Sequence, residues 1–261
     1  MYDITALGEI LIDFTYQGIG RNGQKLFAQN PGGAPANALT SAARFGAKTA
    51  FLGKAGTDMH GRFLKEILEK EQIDTRGFIL DERYFTTLAF VDLSPEGERT
   101  FSFARKPGAD TQITEKELDM EILVGSLSLT SEPARSTTFA AIKAAKSAGA
   151  VISYDPNYRA TLWENVETAK REMKSLIPFV DIMKISDEET ELLTDEKEPE
   201  QAAKVLMGKG VKLVAVTLGK DGAYIANAEG GKRVPGFESN VVDTTGAGDA
   251  FWGTFLYKLS Q

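Results

Sequence analysis

Val151-Ile152-Ser153-Tyr154, then Asp155-Pro156-Asn157, a helix-like run around Glu164–Ile177, a second apolar run at Asp181–Ile185 and another helix-like run over Glu188–Leu193 read as strand, loop, helix, strand, helix. Short apolar runs bounded by turn residues suit buried strands, and the longer periodic runs between them suit helices. The same rhythm extends in both directions. Thr49–Leu52 precedes a helix over Arg62–Glu71 with Phe63, Leu64, Ile67 and Leu68 apolar, and Ile122–Leu129 precedes the alanine-rich Ser136–Ser147. Leu213–Leu218 completes the series, and Ile4–Phe14 reads as one buried strand, apolar except for Glu9 and Asp13. Strand and helix alternating at this spacing predict an α/β fold, a parallel sheet with helices on both faces. Ligands of such sheets sit beyond the carboxyl ends of the strands. Attention therefore falls on Asn157, Arg159, Glu188, Glu189 and Gly219 to Gly222.

One part breaks the rhythm. Thr86–Leu93 and Arg99–Phe103, joined by Ser94-Pro95-Glu96-Gly97-Glu98, read as a β-hairpin whose apolar face carries Leu88, Phe90, Phe101 and Phe103. A lone hairpin is marginal in water, so this one is expected to cover a ligand site or to meet another subunit. Thr194–Glu200 is the only linker-like run, an acidic surface loop.

Bulk composition removes several functions. The chain has 261 residues, 42% hydrophobic and 26% charged, as expected of one globular domain with a small appendage. The balance of 30 basic against 37 acidic residues, with the charges scattered, argues against nucleic-acid binding. The absence of cysteine excludes disulfides, thiolate metal sites and cysteine nucleophiles, and the single histidine, His60, excludes multi-histidine metal sites. No apolar run approaches membrane-spanning length and no basic start precedes an apolar stretch, so a cytoplasmic protein is expected.

Four glycine-rich segments compete for a ligand. Gly18-Ile19-Gly20-Arg21-Asn22-Gly23 matches the dinucleotide fingerprint literally, but no helix follows it, and a flexible turn is the better reading. Gly56-Thr57-Asp58-Met59-His60-Gly61 fails as a phosphate loop because Arg62-Phe63 stands where Lys-Ser/Thr is required, which leaves His60 a solvent-facing bystander. Gly32-Gly33-Ala34-Pro35-Ala36-Asn37 opens a helix, with Pro35 in its first turn, an apolar face of Leu39, Ala42, Ala43 and Phe45, and Gly46 as its stop. Asn37 lies one turn inside, within reach of a hydroxyl-bearing ligand; on spacing alone a plain turn and packing helix explains the segment as well. Asp13 likewise reads either as a strand end in solvent or as a carboxylate facing a polar ligand.

The fourth segment is Asp243-Thr244-Thr245-Gly246-Ala247-Gly248-Asp249-Ala250-Phe251. Phe251, Phe255 and Leu259 follow at helical spacing, so the small residues mark a helix start with unpartnered N–H groups and a dipole that favours anions. Asp249 falls in the first turn. A carboxylate beside an anion hole suits a base that takes a proton from an attacking nucleophile, the arrangement phosphoryl transfer needs. The competing reading has Thr245 capping the helix and Asp249 complementing its dipole.

Gly-Gly-x-x-x-Asn early in the chain together with Asp-Thr-Thr-Gly-Ala-Gly-Asp late resembles the PfkB family of ribokinase-like sugar kinases. Gly8–Asp13, Ala104–Asp110, Ser128–Arg135 and Asp155–Arg159 most resemble bacterial and plant fructokinases. The resemblance implies a single three-layer kinase domain with a small β lid, its strands within about 15–30 and 84–105. It implies ATP-dependent phosphorylation of the 6-hydroxyl of fructose, with magnesium and, as many relatives require, a monovalent ion such as potassium. Asp249 corresponds to the base, and the backbone N–H groups of Gly246, Ala247 and Gly248 to the anion hole. Asp13, Gly32, Gly33, Asn37 and Asn157 fall at sugar-side positions, and Arg105 and Arg159 at sugar or phosphate contacts. Thr217, Gly219 and Gly222 match a nucleotide loop, with Lys184 beside it. Glu189 matches the end of the family's Asn-x-x-Glu, an indirect metal contact, although Ser186 stands where asparagine is commoner. The partners expected are a sugar and ATP, with a second copy meeting the first through the lid.

Family members continue for several tens of residues past the corresponding helix and use them to wall the adenine pocket. The sequence stops at Gln261, and Leu118–Gly125 is a few residues short of the usual helix and strand, so a fragment is expected, or a chain with a weakened ATP site. Ribokinase, 2-keto-3-deoxygluconate kinase and 6-phosphofructokinase are the rival activities. An inactive kinase-fold binding protein is the alternative of a different class.

Overall fold

Neighbouring side chains on the central strands enter two different cores. Leu7 and Leu52 belong to one apolar cluster and Ala6 and Phe51 to the other, a split repeated by Val214 and Val216 against Ala215. A strand buried on both faces needs helices on both sides. The computed structural model describes residues 2–93, 99–118, 124–125, 127–238 and 244–261. The first half of the chain runs β1 (Ile4–Leu7), β2 (Leu11–Ile19), β3 (Lys25–Gly32), α1 (Ala34–Arg44), β4 (Thr49–Gly56), α2 (Met59–Lys70), β5 (Phe78–Asp81), β6 (Leu88–Leu93) and β7 (Arg99–Ala104). The second runs β8 (Val124–Gly125), α3 (Ala134–Ser147), β9 (Ser153–Asp155), α4 (Val166–Leu176), β10 (Ile182–Ser186), α5 (Asp187–Thr194), α6 (Pro199–Gly208), β11 (Leu213–Thr217), β12 (Ala223–Asn227), β13 (Gly230–Val234) and α7 (Ala247–Ser260).

Among the described residues, nine strands form one sheet in the order β13-β12-β11-β10-β9-β8-β1-β4-β5, and β3-β2-β6-β7 form a second. The large sheet is parallel from β5 to β11, with an antiparallel edge of β12 and β13. The small sheet is mixed, with β2 parallel to β6 and antiparallel to β3. This is an α/β fold, a mainly parallel sheet with helices on both faces and a separate small β sheet, as the sequence predicts.

Several expectations need correction. Ile4–Phe14 is two strands in two sheets, broken at Gly8-Glu9-Ile10, where Pro35 packs so closely that a Cβ on Gly8 would lie 2.5 Å from its Cγ. The apolar run hides this break. Within 18–23, Gly18 and Ile19 still belong to β2, and the turn follows, with Gly20 N–H donated to the Gln24 carbonyl at 2.8 Å. The strand expected over Ile122–Leu129 is described only at β8, with a 3₁₀ turn at Leu127–Thr130; residues 119–123 and 126 lie outside the described residues, as does the hairpin connection 94–98. The acidic loop ends earlier than read, since Pro199 already begins α6, which the sequence reading passed over together with β5, β12 and β13.

The hairpin does not have one apolar face. Leu88 pairs with Ala104 and Phe90 with Ser102, while Phe101 pairs with Val91 and Phe103 with Ala89. Directly paired residues share a face, so Leu88 and Phe90 point to the opposite side from Phe101 and Phe103. Phe90 stacks on Phe14 at 5.3 Å and meets Phe27 edge-on at 6.0 Å, an aromatic cluster on the outer side of the lid. His60 is not a solvent-facing bystander. It is half-buried, edge-on to Phe14 at 5.7 Å, in the first turn of α2, where Asp58 caps the helix by accepting from the N–H groups of His60 and Gly61.

On α7 the buried residues are Trp252, Gly253 and Leu256, one position along from the Phe251, Phe255 and Leu259 stripe that the spacing suggested. The reason is close approach to α1. A Cβ on Gly253 would sit 2.0 Å from the Ala38 carbonyl oxygen, so only glycine lets the helices meet there. Phe45 also leaves the expected apolar face of α1 and lies 54% exposed, stacked on Tyr257 at 6.2 Å.

Candidate active site

The carboxyl ends of β1, β9, β10 and β11 open into one cleft of about 350 Å³, roofed by Leu11, Asp13, Phe101 and Phe103 of the small sheet. Each strand end supplies chemistry: Glu9 after β1, Asn157 and Arg159 after β9, Ser186 to Glu189 after β10, and Thr217 and Gly219 after β11. The starts of α1 and α7 close the remaining wall with Gly33, Asn37, Gly246, Gly248 and Asp249.

Asp249 lies at the meeting point. The Asn37 amide donates to its Oδ2 at 2.9 Å, joining the two glycine-rich segments across the packed helices. Burial pushes the Asp249 carboxyl above its ordinary range and Asp155 adds to this, while the Asn37 hydrogen bond, Lys184 and Arg159 pull it back. Burial likewise pushes Asp13 up to about 6, with Arg159 opposing and Asp249 reinforcing. Two carboxylates facing the cleft, one from its roof and one from its wall, thus hold protons more tightly than free aspartates do.

The helix start opposite has no side-chain cap. Its cap is Gly246 itself, at φ 72 in the left-handed region, so Thr245 does not play that part. Asp243 lies outside the described residues. The Ala247 N–H turns back to the Thr244 carbonyl at 3.2 Å, leaving Gly246 and Gly248 as the members of the trio that line the cleft. Lys184 aims at this helix start: a Cβ on Gly248 would be 3.1 Å from its Nζ. Burial pulls the Lys184 ammonium down, but Asp155, at 2.8 Å, and Glu189 more than offset it and hold it protonated. Residue spacing carries no sign of this Asp155–Lys184 pair; an aspartate at the end of a buried strand is the available signal.

Other expected site residues sit elsewhere. Gly32 gives clearance, since a Cβ there would fall 2.2 Å from Asp13 Oδ2. Gly222, at φ 95, allows the β11–β12 turn to pass the Val234 carbonyl and does not line the cleft. Arg105 is buried at the root of the lid, donating to Asp110 at 2.8 Å and Thr130 at 2.9 Å, outside the cleft lining. Glu189 accepts from the N–H groups of Ser186 at 2.8 Å and Tyr158 at 2.6 Å, so both its oxygens brace the loops. Among the described residues, no three acidic or histidine side chains form a ready metal cage. Tyr158, Thr244, Phe101 and Phe103 complete the lining without having been singled out as site residues. Arg159 lies over the Phe101 ring at 5.9 Å, tying the β9 loop to the lid.

Among the described residues, no helix is long and apolar enough to cross a membrane. Residues 1–261 match the pfkB family of carbohydrate kinases. The chain is 41% identical to probable fructokinase-5 of Arabidopsis thaliana, covering 99% of this chain and 83% of the relative. It is 40% identical to fructokinase-2 of Oryza sativa subsp. japonica, covering 99% and 80%. A double mutant of the Vibrio cholerae O395 fructokinase, solved with fructose, ADP and potassium bound, superposes with a TM-score of 0.90 at 34% identity, covering 98% of this chain and 83% of that one. Fructokinase from Xylella fastidiosa with bound ATP gives 0.91 at 31% identity, covering 100% and 82%. A matching family over the full sequence, relatives at this identity and a cleft with these residues agree: the chain belongs to the pfkB family of carbohydrate kinases and is a fructokinase-like sugar kinase.

Proposed function

We propose that this chain transfers the γ-phosphoryl group of ATP to the 6-hydroxyl of D-fructose, with Asp249 as the base. The observation that carries this is the position of Asp249: held by Asn37 on the sugar side, and in the first turn of the helix whose start faces Lys184. An alcohol is far too weak an acid to ionise near neutral pH, so a carboxylate accepts its proton as the new O–P bond forms and the bond to ADP breaks. The raised proton affinity of Asp249 suits that transfer. Charge on the moving phosphoryl is met by the N–H groups at the start of α7, with Gly246 and Gly248 in the cleft wall, and by the Lys184 ammonium. Asp13, Gly33, Asn157 and Arg159 are the sugar side, and Thr217 and Gly219 the nucleotide side.

Magnesium binds through few carboxylates and substrate phosphates, keeping several waters. A cleft with Asp187 and Glu188 in its lining fits an ion that arrives with ATP and reaches Glu189 only through water. The bound ion would supply charge neutralisation of the phosphates. Substituting sodium for potassium in the assay tests the monovalent-ion requirement.

The lid excludes water through Phe101 and Phe103, because water in the cleft would accept the phosphoryl group. Its outer aromatic cluster, with Phe27 38% and Phe90 39% exposed, meets the lid of a second copy. Phe101→Ser is expected to raise ATP hydrolysis relative to sugar phosphorylation, and no rise removes the water-exclusion role. Sedimentation equilibrium showing only monomers at assay concentrations removes the lid-to-lid contact.

The deciding experiment is ADP release with Mg-ATP over fructose, ribose, 2-keto-3-deoxygluconate, glucose and fructose 6-phosphate, with Asp249→Asn in parallel. Fructose is expected to give the highest kcat/KM, and the variant to lose about 10²–10⁴-fold in kcat. Turnover of fructose 6-phosphate alone defeats the fructose assignment, and full activity in the variant defeats the base.

A further inference from the structure

Glu9 is 1% exposed at the crossing from β1 to β2, at the edge of the cleft, and takes no part in the steps above. Its Oε1 accepts the Ala34 N–H at 3.0 Å. Its Oε2 is buried with no hydrogen-bond partner among the described residues. The Glu9 backbone presses on the same turn, since a Cβ on Gly33, at φ 107, would lie 2.5 Å from the Glu9 carbonyl oxygen. Ala34 opens α1, and Asn37, one turn on, holds Asp249.

The chain passes between the large sheet and the lid at four places: into β2, out of β3, into β6 and out of β7. Glu9 bridges the first two. Asp110 bridges the others, accepting from the Thr87 hydroxyl and from Arg105. The Ile12 N–H, donated to the Thr87 carbonyl at 3.1 Å, joins the two pairs.

We infer that Glu9 is a positioning residue: it seats the Gly33–Asn37 turn against the lid crossings and so fixes where the sugar lies relative to Asp249. The inference rests on the sugar-kinase reading of the cleft. Burial pushes the Glu9 carboxyl up to about 8, with its own backbone N–H, Arg105 and the Ala34 N–H opposing and Asp110 reinforcing. The raised proton affinity favours the uncharged form, whose burial costs less than that of a carboxylate. At higher pH, ionisation puts a charge in this buried place, where the cost of burial outweighs the pull of its own N–H, Arg105 and the Ala34 N–H, and the turn loosens.

Two measurements test this. A ¹³C-detected carboxyl titration of the unliganded protein, with E9Q assigning the signal, is expected to give a midpoint near 8. A midpoint in the ordinary carboxylate range overturns the inference whether or not any sugar is phosphorylated. In the kinetic arm, E9A is expected to lower kcat/KM for the sugar by about 10–100-fold, mainly through KM, with the KM for ATP retained. E9Q keeps an acceptor for the Ala34 N–H and cannot ionise, so it recovers most of that loss and lacks the alkaline decline of the unaltered enzyme. E9Q as impaired as E9A, or declining at the same pH as the unaltered enzyme, overturns the inference. If E9A does not fold, the E9Q profile and the titration still decide. If the unaltered chain turns over no sugar, the sugar-kinase reading fails on its own and the titration judges Glu9.

Discussion

Asn37→Ala tests the link between the two halves of the site. The Asn37 amide donates to Asp249 Oδ2 at 2.9 Å and is one of the influences that keep the Asp249 carboxyl from rising further. A hydrogen bond to a charged group is worth roughly 1.5–3 kcal/mol. At about 1.4 kcal/mol per pH unit, its removal moves the acid limb of the activity profile upward by about one to two pH units. The direction follows from the role, because a base works only when ionised and the variant needs a higher pH to ionise it. The assay is kcat and kcat/KM for the sugar over a pH series, with ATP saturating. Loss of a sugar contact alone would raise KM equally at every pH, so the displaced limb distinguishes the two roles. An acid limb at the same pH in variant and unaltered enzyme would refute the reasoning. So would a limb displaced downward.

Asp13→Asn is expected to stabilise the protein at neutral pH by up to about 3 kcal/mol, because the folded protein holds the Asp13 proton up to about pH 6, against an ordinary value of 3.8. A group raised in this way stabilises the fold below 3.8 and loses that contribution as pH rises through about 6, so the gain from asparagine should vanish below pH 4. Urea unfolding at both pH values checks this; a gain independent of pH would contradict it. Lys54 is wholly buried and donates to Asp81 at 3.2 Å, Glu117 at 2.7 Å and the Gln112 carbonyl at 2.9 Å. Lys54→Met takes the shared ammonium from Asp81 and Glu117, which keep Arg83 at 3.0 Å and the Thr114 N–H at 2.8 Å, and is expected to cost about 1–3 kcal/mol in the same assay; no measurable loss would show that those remaining partners suffice.

The layered α/β architecture is legible in the sequence because the central strands are apolar on both sides and the helices between them are not. What the sequence hides are choices between adjacent alternatives. Ile10-Leu11-Ile12 continues the apolar run past the break at Gly8, and only the change of partner, from β4 to β3 and β6, shows where β1 ends. The hairpin faces depend on which residues pair, and the pairing of Leu88 with Ala104 sends Phe101 and Phe103 to the opposite side from Phe90. On α7 two apolar stripes lie one residue apart, and the approach of Ala38 to Gly253 selects the one containing Trp252. Within the site, the short motifs carried Asp249, Asn37 and Gly33, because their chemistry and glycine spacing are local. The Asp155–Lys184 pair depends on β9 lying beside β10, and the retreat of Arg105 depends on the chain after β7 folding Asp110 back against it; neither shows as a spacing motif.

The contact between Asn37 and Asp249 spans 212 positions, and the helices that carry them lie side by side. Synthesis at about 5–20 residues per second separates their emergence by roughly 10–40 seconds. Throughout that interval the nascent chain carries Asn37 without Asp249, the proposed base, and Leu39 and Ala42 of α1 wait for Trp252 and Leu256 to share their core. The flank of α1 therefore stays uncovered until α7 emerges, and the site closes only when nearly all of the given sequence has been made.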